Sequence, residues 1–438
     1  MLFKKWFYPR IKLTRWVILL VLGFLLFSLG ISGFLGRALP GYEIKLAPAQ
    51  FLNSITRSIR DFIIYLTKLN TVSLTAVLIG ILGITLAIRR GQYSFALRLY
   101  PEKSRDLESK LSERLRLRRG PKIVAIGGGT GLPAVLKGLK EYTYNITAVV
   151  TVADDGGSSG KLVRQRHVLP PGDIRNCLVA LAEAEPLMSD LFQHRFGKKG
   201  SEEDPALDGH SFGNLFIAAL TDVVGGFDKA VEETGKILSI RGKVVPVSVQ
   251  PVVLEAQLKD KSVVQGQTNI SRSKFPIERL YLKPRVVKPT PAVLEAIKHA
   301  DAIIMGPGSL YTSIIPNLLV DGVGEAIAAS KASKIYICNT MTQQGETDGF
   351  SASDHANAII RHARQGVVDY VIMNNQEIPE DVLGRYRSER AEPVKCDDDA
   401  VRKSGMRPVK ARILSFSDGL VRHDSRKLAK LIMKVVSL

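Results

Sequence analysis

Residues 122–131 read Lys122-Ile123-Val124-Ala125-Ile126-Gly127-Gly128-Gly129-Thr130-Gly131. Four apolar residues run straight into a glycine-rich turn, and the next stretch, Leu132-Pro133-Ala134-Val135-Leu136-Lys137-Gly138-Leu139, has its apolar residues at helical spacing. Pro133 is tolerated in a first turn. A buried strand, a glycine turn and a helix start in that order expose backbone amides at the positive end of a helix dipole, where an anion is favoured. The same glycines also serve a tight structural turn, and the stretch alone leaves both readings open. Counting leaves one better-known motif incomplete and excludes another. A dinucleotide fingerprint needs a third glycine where Leu132 stands, and Gly160-Lys161 lacks both the Ser or Thr after the lysine and the earlier glycine, Asp155 standing there, that a phosphate-binding Walker loop requires.

From residue 121 onward, short β-branched runs alternate with helical patterns, which predicts an α/β fold with a mostly parallel, Rossmann-like sheet. Strands are expected at Ile123 to Ile126, Ile146 to Val152, Ala302 to Met305, Lys334 to Cys338 and Val368 to Met373, each apolar enough to be covered on both faces. Residues 240–290, with several Val-rich segments, read as an antiparallel insertion.

In such a sheet, ligands bind beyond the carboxyl ends of the strands, so the polar segments that follow predicted strands should converge. The first is Gly127, Gly128, Gly129, Thr130 and Gly131. The second, Asp154-Asp155-Gly156-Gly157-Ser158-Ser159-Gly160, opens with two carboxylates that could hold magnesium together with a substrate phosphate, or bond sugar hydroxyls. Gly306-Pro307-Gly308-Ser309-Leu310-Tyr311-Thr312-Ser313 offers amides and hydroxyls suited to a diphosphate. The segment from Asn339 to Gly349, with Thr342 and Gln343, is dense in groups that could bond a base or sugar. Two accessory loops, 170–176 and 209–214, contribute Asp173, Arg175, His210 and Asn214. His210 fits either a general acid or base or a structural hydrogen bonder.

The 438 residues carry a net charge of +19 and 45% apolar residues, so a sizeable core is expected. The charge is uneven: residues 1–120 hold 20 basic and 6 acidic residues, or +14, and residues 121–438 hold 41 and 36, or +5. With so small an excess and no basic stripe interleaved with aromatics, no nucleic-acid partner is expected of the second part. Cys177, Cys338 and Cys396 are too far apart in sequence for a zinc site and odd in number, so neither a disulfide framework nor a metal cluster is expected.

Two uncharged stretches, Trp16 to Leu35 and Thr71 to Ile88, have 20 and 18 residues, long enough to cross a hydrocarbon core. They predict a membrane region over 1–100 with two transmembrane helices contacting lipid. Basic residues before the first (Lys4, Lys5, Arg10, Lys12, Arg15) and after the second (Arg89, Arg90, Arg98) put both ends on the cytoplasmic side. The expectation is thus a multi-pass protein of the cytoplasmic membrane whose C-terminal domain is cytoplasmic. Between the stretches, residues 51–66 have the spacing of an amphipathic helix, and residues 101–120 read as a charged linker to a domain over 121–438.

Six motifs in order, Gly127 to Gly131, Ala153 to Gly160, Pro171 to Arg175, Gly209 to Asn214, Gly306 to Asn317 and Met341 to Thr347, resemble the YvcK family, the gluconeogenesis factors, over about residues 121–438. That family belongs to the CofD-like superfamily, whose enzymes transfer 2-phospholactate to a deazaflavin precursor. The resemblance implies binding of UDP-sugars, notably UDP-N-acetylglucosamine, and a regulatory role in cell shape, cell-wall precursor supply and gluconeogenic growth. It also implies that Gly128, Gly129, Thr130 and the Gly306 to Ser309 turn lie near phosphate, and that Tyr386 and Arg422 contact the UDP-sugar. Tyr can stack on uracil and Arg can pair with a diphosphate. Where the enzyme branch has Gly-Asp-Asp and Ser-Pro-Asp, this chain has Ala153-Asp154-Asp155 and Pro171-Gly172-Asp173, which places the deazaflavin acceptor pocket in doubt. No cofactor is required, magnesium on Asp154 and Asp155 is the one ion allowed for, and a CofD-type phosphotransferase is the rival activity. The resemblance names no protein partner and leaves homo-oligomer formation open.

Overall fold

The computed structural model describes residues 20–24, 71–99, 112–183, 186–197, 207–273, 275–388, 390–417 and 420–437. The chain divides into two units, Met1–Ser112 and Glu113–Leu438. In the first, a helix spans Thr71–Leu99, and a Cβ on Gly23 would stand 3.1 Å from the Ile84 amide nitrogen, so the 20–24 segment meets this helix backbone to backbone.

The membrane reading is overturned here. Among the described residues no helix is long and apolar enough to cross a membrane. The helix Thr71–Leu99 carries Arg89 and Arg90 in its interior. Of the first stretch, residues 20–24 alone are described, and the helix expected at 51–66 lies outside the described residues, as does the linker over 101–111. Among the described residues, then, nothing supports the expected multi-pass placement with two transmembrane helices.

The second unit is built on a seven-stranded sheet in the order β10-β9-β8-β7-β1-β2-β3. Its strands are β1 Ile123–Gly127, β2 Ile146–Val150, β3 Lys243–Pro246, β7 Ala302–Met305, β8 Ser333–Ile337, β9 Tyr370–Asn374 and β10 Arg407–Ala411. Every neighbouring pair is parallel. All five residues of β1 are buried, as a strand covered by helices on both faces must be. The expected central strands are all present, with ends moved by one or two residues.

Two elements differ from expectation. Residues 243–246 leave the expected insertion and pair with β2 at the sheet edge, Thr147 opposite Lys243. What remains of the insertion is an antiparallel sheet of β4 Val253–Leu258, β5 Val263–Gln265 and β6 Ile277–Lys283, with β4 in the middle and the short helix Gln267–Ile270 at its end. Beyond β10 a hairpin, β11 Leu414–Ser417 and β12 Leu420–His423, leads into the helix Ser425–Val436.

That helix lies across the helix Gly131–Leu139. A Cβ on Gly138 would stand 2.0 Å from the Ser425 carbonyl oxygen, so the crossing requires glycine. Strand order reverses between β1 and β7: the chain moves from β1 through β2 to β3 on one side, and from β7 through β8 and β9 to β10 on the other. This is where an open α/β sheet forms its ligand crevice.

Candidate functional site

The turns after β1 and β7 meet at this reversal. Gly129 has φ +62° and Gly306 φ +79°, conformations that a side chain disfavours. A Cβ on Gly131 would be 2.3 Å from the Pro307 carbonyl oxygen, and one on Gly128 would be 2.6 Å from Asp173 Oδ2. The glycines therefore let two backbones and one carboxylate close up. Asn317 fastens the arrangement from below, its Nδ2 donating to the carbonyls of Gly127 at 3.2 Å and Ser313 at 2.8 Å. The Gly308 amide donates to Asn339 Oδ1 at 3.3 Å, which brings in the loop after β8.

Above these turns lies a cleft of ≈ 1210 Å³. Of the residues expected to bind ligand, Gly129, Thr130, Gly131, Gly308, Ser309, Thr312, Asn339, Thr342, Gln343, Tyr386 and Arg422 line it. Three strand-end segments, after β1, β7 and β8, and the C-terminal hairpin thus share one wall. Tyr386, on the helix Glu380–Ser388, accepts a bond on its hydroxyl from the Val421 amide at 2.9 Å, which fixes the ring against the hairpin. Arg422 stands opposite Ser415 in that hairpin and is exposed. Lys137 and Arg426 add positive charge to the wall. The helix Ser425–Val436 starts there too, with Asp424 as its cap, accepting the Arg426 and Lys427 amides at 3.0 Å each. The cleft can take an anion in its glycine-lined part and a larger polar body beyond it.

The other expected residues do not line the cleft. Gly127, Gly128 and Gly306 form the backs of the two turns, and Asp154, Asp155, Gly156, Ser158, Ser159 and Asn214 belong to an adjoining polar knot. Asp155 Oδ1 accepts from the Thr268 amide at 3.0 Å and its hydroxyl at 2.7 Å, tying the insertion to the loop after β2. Asp154 Oδ1 accepts the Gly156 amide at 3.0 Å. Ser158 Oγ bonds His210 Nδ1 at 3.2 Å and accepts from Asn214 Nδ2 at 3.0 Å, while Ser159 Oγ accepts the Gly172 amide at 3.1 Å. Burial lowers the pKa of His210, which keeps it in the neutral form suited to this bond. These bonds hold the loop after β2 to the 170–176 and 209–214 loops.

Asp173 is the unusual acid. Burial first, and the charge of Asp154 second, raise its pKa to about 6, against a bond from the Gly129 amide that favours the charged form. Arg175, buried beside it, donates to Asn176 Oδ1 at 2.8 Å and to Ser211 Oγ. Among the described residues no group of three or more His, Cys, Asp or Glu could hold a metal ion. Asp155 is already engaged by Thr268, so Asp154 and Asp173 are the carboxylates whose charges couple beneath the β1 turn.

Several cleft residues were not singled out in the sequence. Glu346 is 4% exposed; its Oε1 accepts from Ser271 Oγ at 2.8 Å and Thr312 Oγ1 at 3.4 Å, and burial raises its pKa. His423 also faces the cleft, with its pKa lowered to about 4 by burial. An acid in a polar loop and a histidine in a hairpin carry no sequence signal of burial. The Met341-to-Thr347 motif did contain Glu346, but without its neighbours.

A parallel sheet with glycine turns meeting at its reversal point defines an open, Rossmann-like α/β protein, and the comparisons narrow the class. The family of the 2-phospho-L-lactate transferase CofD matches residues 123–414. A gluconeogenesis factor of Bacillus subtilis is 46% identical over 316 residues, 72% of this chain and 98% of that protein. A Clostridium acetobutylicum protein named "Putative gluconeogenesis factor" is 43% identical over 440 residues, 100% of this chain and 92% of its own length. A crystal structure of a Bacillus halodurans protein, 45% identical, superposes with a TM-score of 0.69, covering 71% of this chain and 99% of that one. The chain belongs to the gluconeogenesis factor family and carries its CofD-like domain.

Proposed function

We propose that the cleft binds a nucleotide sugar of the UDP-N-acetylglucosamine class, and that the protein acts as a binding regulator of cell-wall precursor supply, cell shape and gluconeogenic growth. One observation carries the reading. Tyr386 and Arg422, implied by resemblance alone to contact the UDP-sugar, line the same cleft as the glycine turns after β1 and β7. A diphosphate on the turn amides leaves a planar base within reach of a tyrosine ring and the sugar in the wide remainder of the cleft. Ligand binding regulates only if one conformational state binds better. The test is a calorimetric titration of the full chain with UDP-N-acetylglucosamine, with and without magnesium, repeated for Tyr386→Ala and Arg422→Ala. Saturable binding weakened by both substitutions, with the nucleotide sugar recovered intact, is expected; absence of binding sinks the reading.

A transferase of the CofD type is the second reading, favoured by the match to that family and by the coupled pair Asp154 and Asp173. If a divalent cation is used, those two carboxylates would hold it, and it would offset charge on a departing nucleotide. Transfer of 2-phospholactate to a deazaflavin acceptor, lost in Asp154→Asn, would put this reading first.

A further inference from the structure

The cleft wall offers two kinds of group. The turns after β1 and β7 bring backbone, and Lys137 and Arg422 bring cations. The loop after β8 and the hairpin also bring acceptors. Glu346 Oε2, Gln343 Oε1 and His423 Nε2 are shielded from solvent, and no protein group donates to any of them. The other end of each group is already committed. Glu346 uses Oε1 for Ser271, and Gln343 donates through Nε2 to Ser309 Oγ at 2.9 Å. The His423 ring bonds the Cys338 carbonyl, so Nδ1 carries the proton and Nε2 presents a lone pair.

Buried acceptors are nearly always paired, and leaving one unpaired is costly. Three in one cleft, held in place by their second atoms, call for a ligand rich in donors. A uracil edge does not match, since it brings one N–H flanked by two carbonyls and needs donors from the protein. A hexosamine matches, with several hydroxyls and an amide N–H.

We propose that Gln343, Glu346 and His423 form a donor-reading subsite that recognises the sugar of the nucleotide sugar and so sets specificity, while the glycine turns take its diphosphate. This rests on the nucleotide-sugar reading of the cleft. In this arrangement the sugar hydroxyls and amide donate to the three acceptors, and the loop after β8 together with His423 of the hairpin discriminates between sugars.

The experiment is calorimetry on the full chain with UDP, UDP-glucose and UDP-N-acetylglucosamine, for the unaltered protein, Glu346→Gln and His423→Phe. UDP reports the diphosphate and base contacts, and so also checks that each variant is folded. The expected result is that the unaltered protein binds the N-acetylated sugar nucleotide more tightly than UDP, and that each variant loses roughly tenfold or more of that advantage while its UDP affinity stays within about twofold. UDP and sugar nucleotide weakening together, or neither changing, overturns the subsite. Binding of UDP with no gain from any sugar in the unaltered protein overturns it too but leaves nucleotide binding standing. No binding of any of the three removes the nucleotide-sugar reading itself.

Discussion

Gly131 and Pro307 meet so closely that a single methyl group on the first would stand 2.3 Å from the carbonyl oxygen of the second and 3.1 Å from the Gly308 amide nitrogen. The relationship joins the first and the seventh strand ends where the sheet reverses. Gly131→Ala is therefore expected to push the β7 turn away. A stability loss of about 1–3 kcal/mol follows from overpacking, along with loss of nucleotide-sugar binding. Urea unfolding and calorimetry on the same variant check both; unchanged binding would mean that the two turns do not act together.

Asp173 gives a pH signature. Its folded pKa of about 6 lies above the ordinary aspartate value of 3.8. Between these values the folded state holds more protons than the unfolded one, so stability contributed by this group is full at low pH and is lost as pH rises through the window. The size is about 3 kcal/mol, from about two pKa units at 1.36 kcal/mol each. Asp173→Asn should flatten the fall of the urea midpoint between roughly pH 4 and 6. Parallel curves for the two proteins would mean that this carboxyl is not buried as described.

Asp155 is expected to anchor the insertion, not to bind ligand directly. Asp155→Ala removes both bonds to Thr268, at a cost of about 1.5–3 kcal/mol for a charged acceptor. Hydrogen exchange should rise over residues 263–273 while β1 and β7 keep their protection. Because Gln267 and Ser271 line the cleft, ligand affinity should fall as well.

Tyr386 separates ring from hydroxyl. In Tyr386→Phe the Val421 amide loses its partner, so stability drops by about 1 kcal/mol and ligand affinity changes by less than about threefold. Tyr386→Ala also removes the ring, and a stacking loss of ~1–3 kcal/mol corresponds to a complex roughly five- to 150-fold weaker. Equal effects of the two substitutions would assign the role to the hydroxyl.

The central strands were legible because burial on both faces leaves an uninterrupted apolar run, as in Ile123 to Ile126. The edges were not. β10 carries Arg407, Pro408 and Lys410, acceptable on a strand with one free side but giving no apolar run. β3 was hidden in the Val-rich stretch that also builds the insertion. In the site, the glycine turns were legible because their geometry is local. Which acid is buried under the turn was not, since only the tertiary fold brings Thr268 to Asp155 and sets Asp173 beneath the Gly128–Gly129 turn. Tyr386 and Arg422 came from family resemblance; nothing in their own neighbourhoods marks them. Glu346 and His423 went unnoticed because burial, which makes their free atoms significant, is a property of the folded chain.

The crossing of the helix Ser425–Val436 over Gly138 also bears on how the protein is made. Its cleft draws on residues from Gly129 to Arg426, and the helix that follows Arg426 braces the one that starts at Gly131. A nascent chain can form β1, β2 and the first glycine turn early in translation, yet it holds no working cleft until the hairpin and this last helix leave the ribosome. A chain stopped before the hairpin therefore lacks part of the cleft's wall.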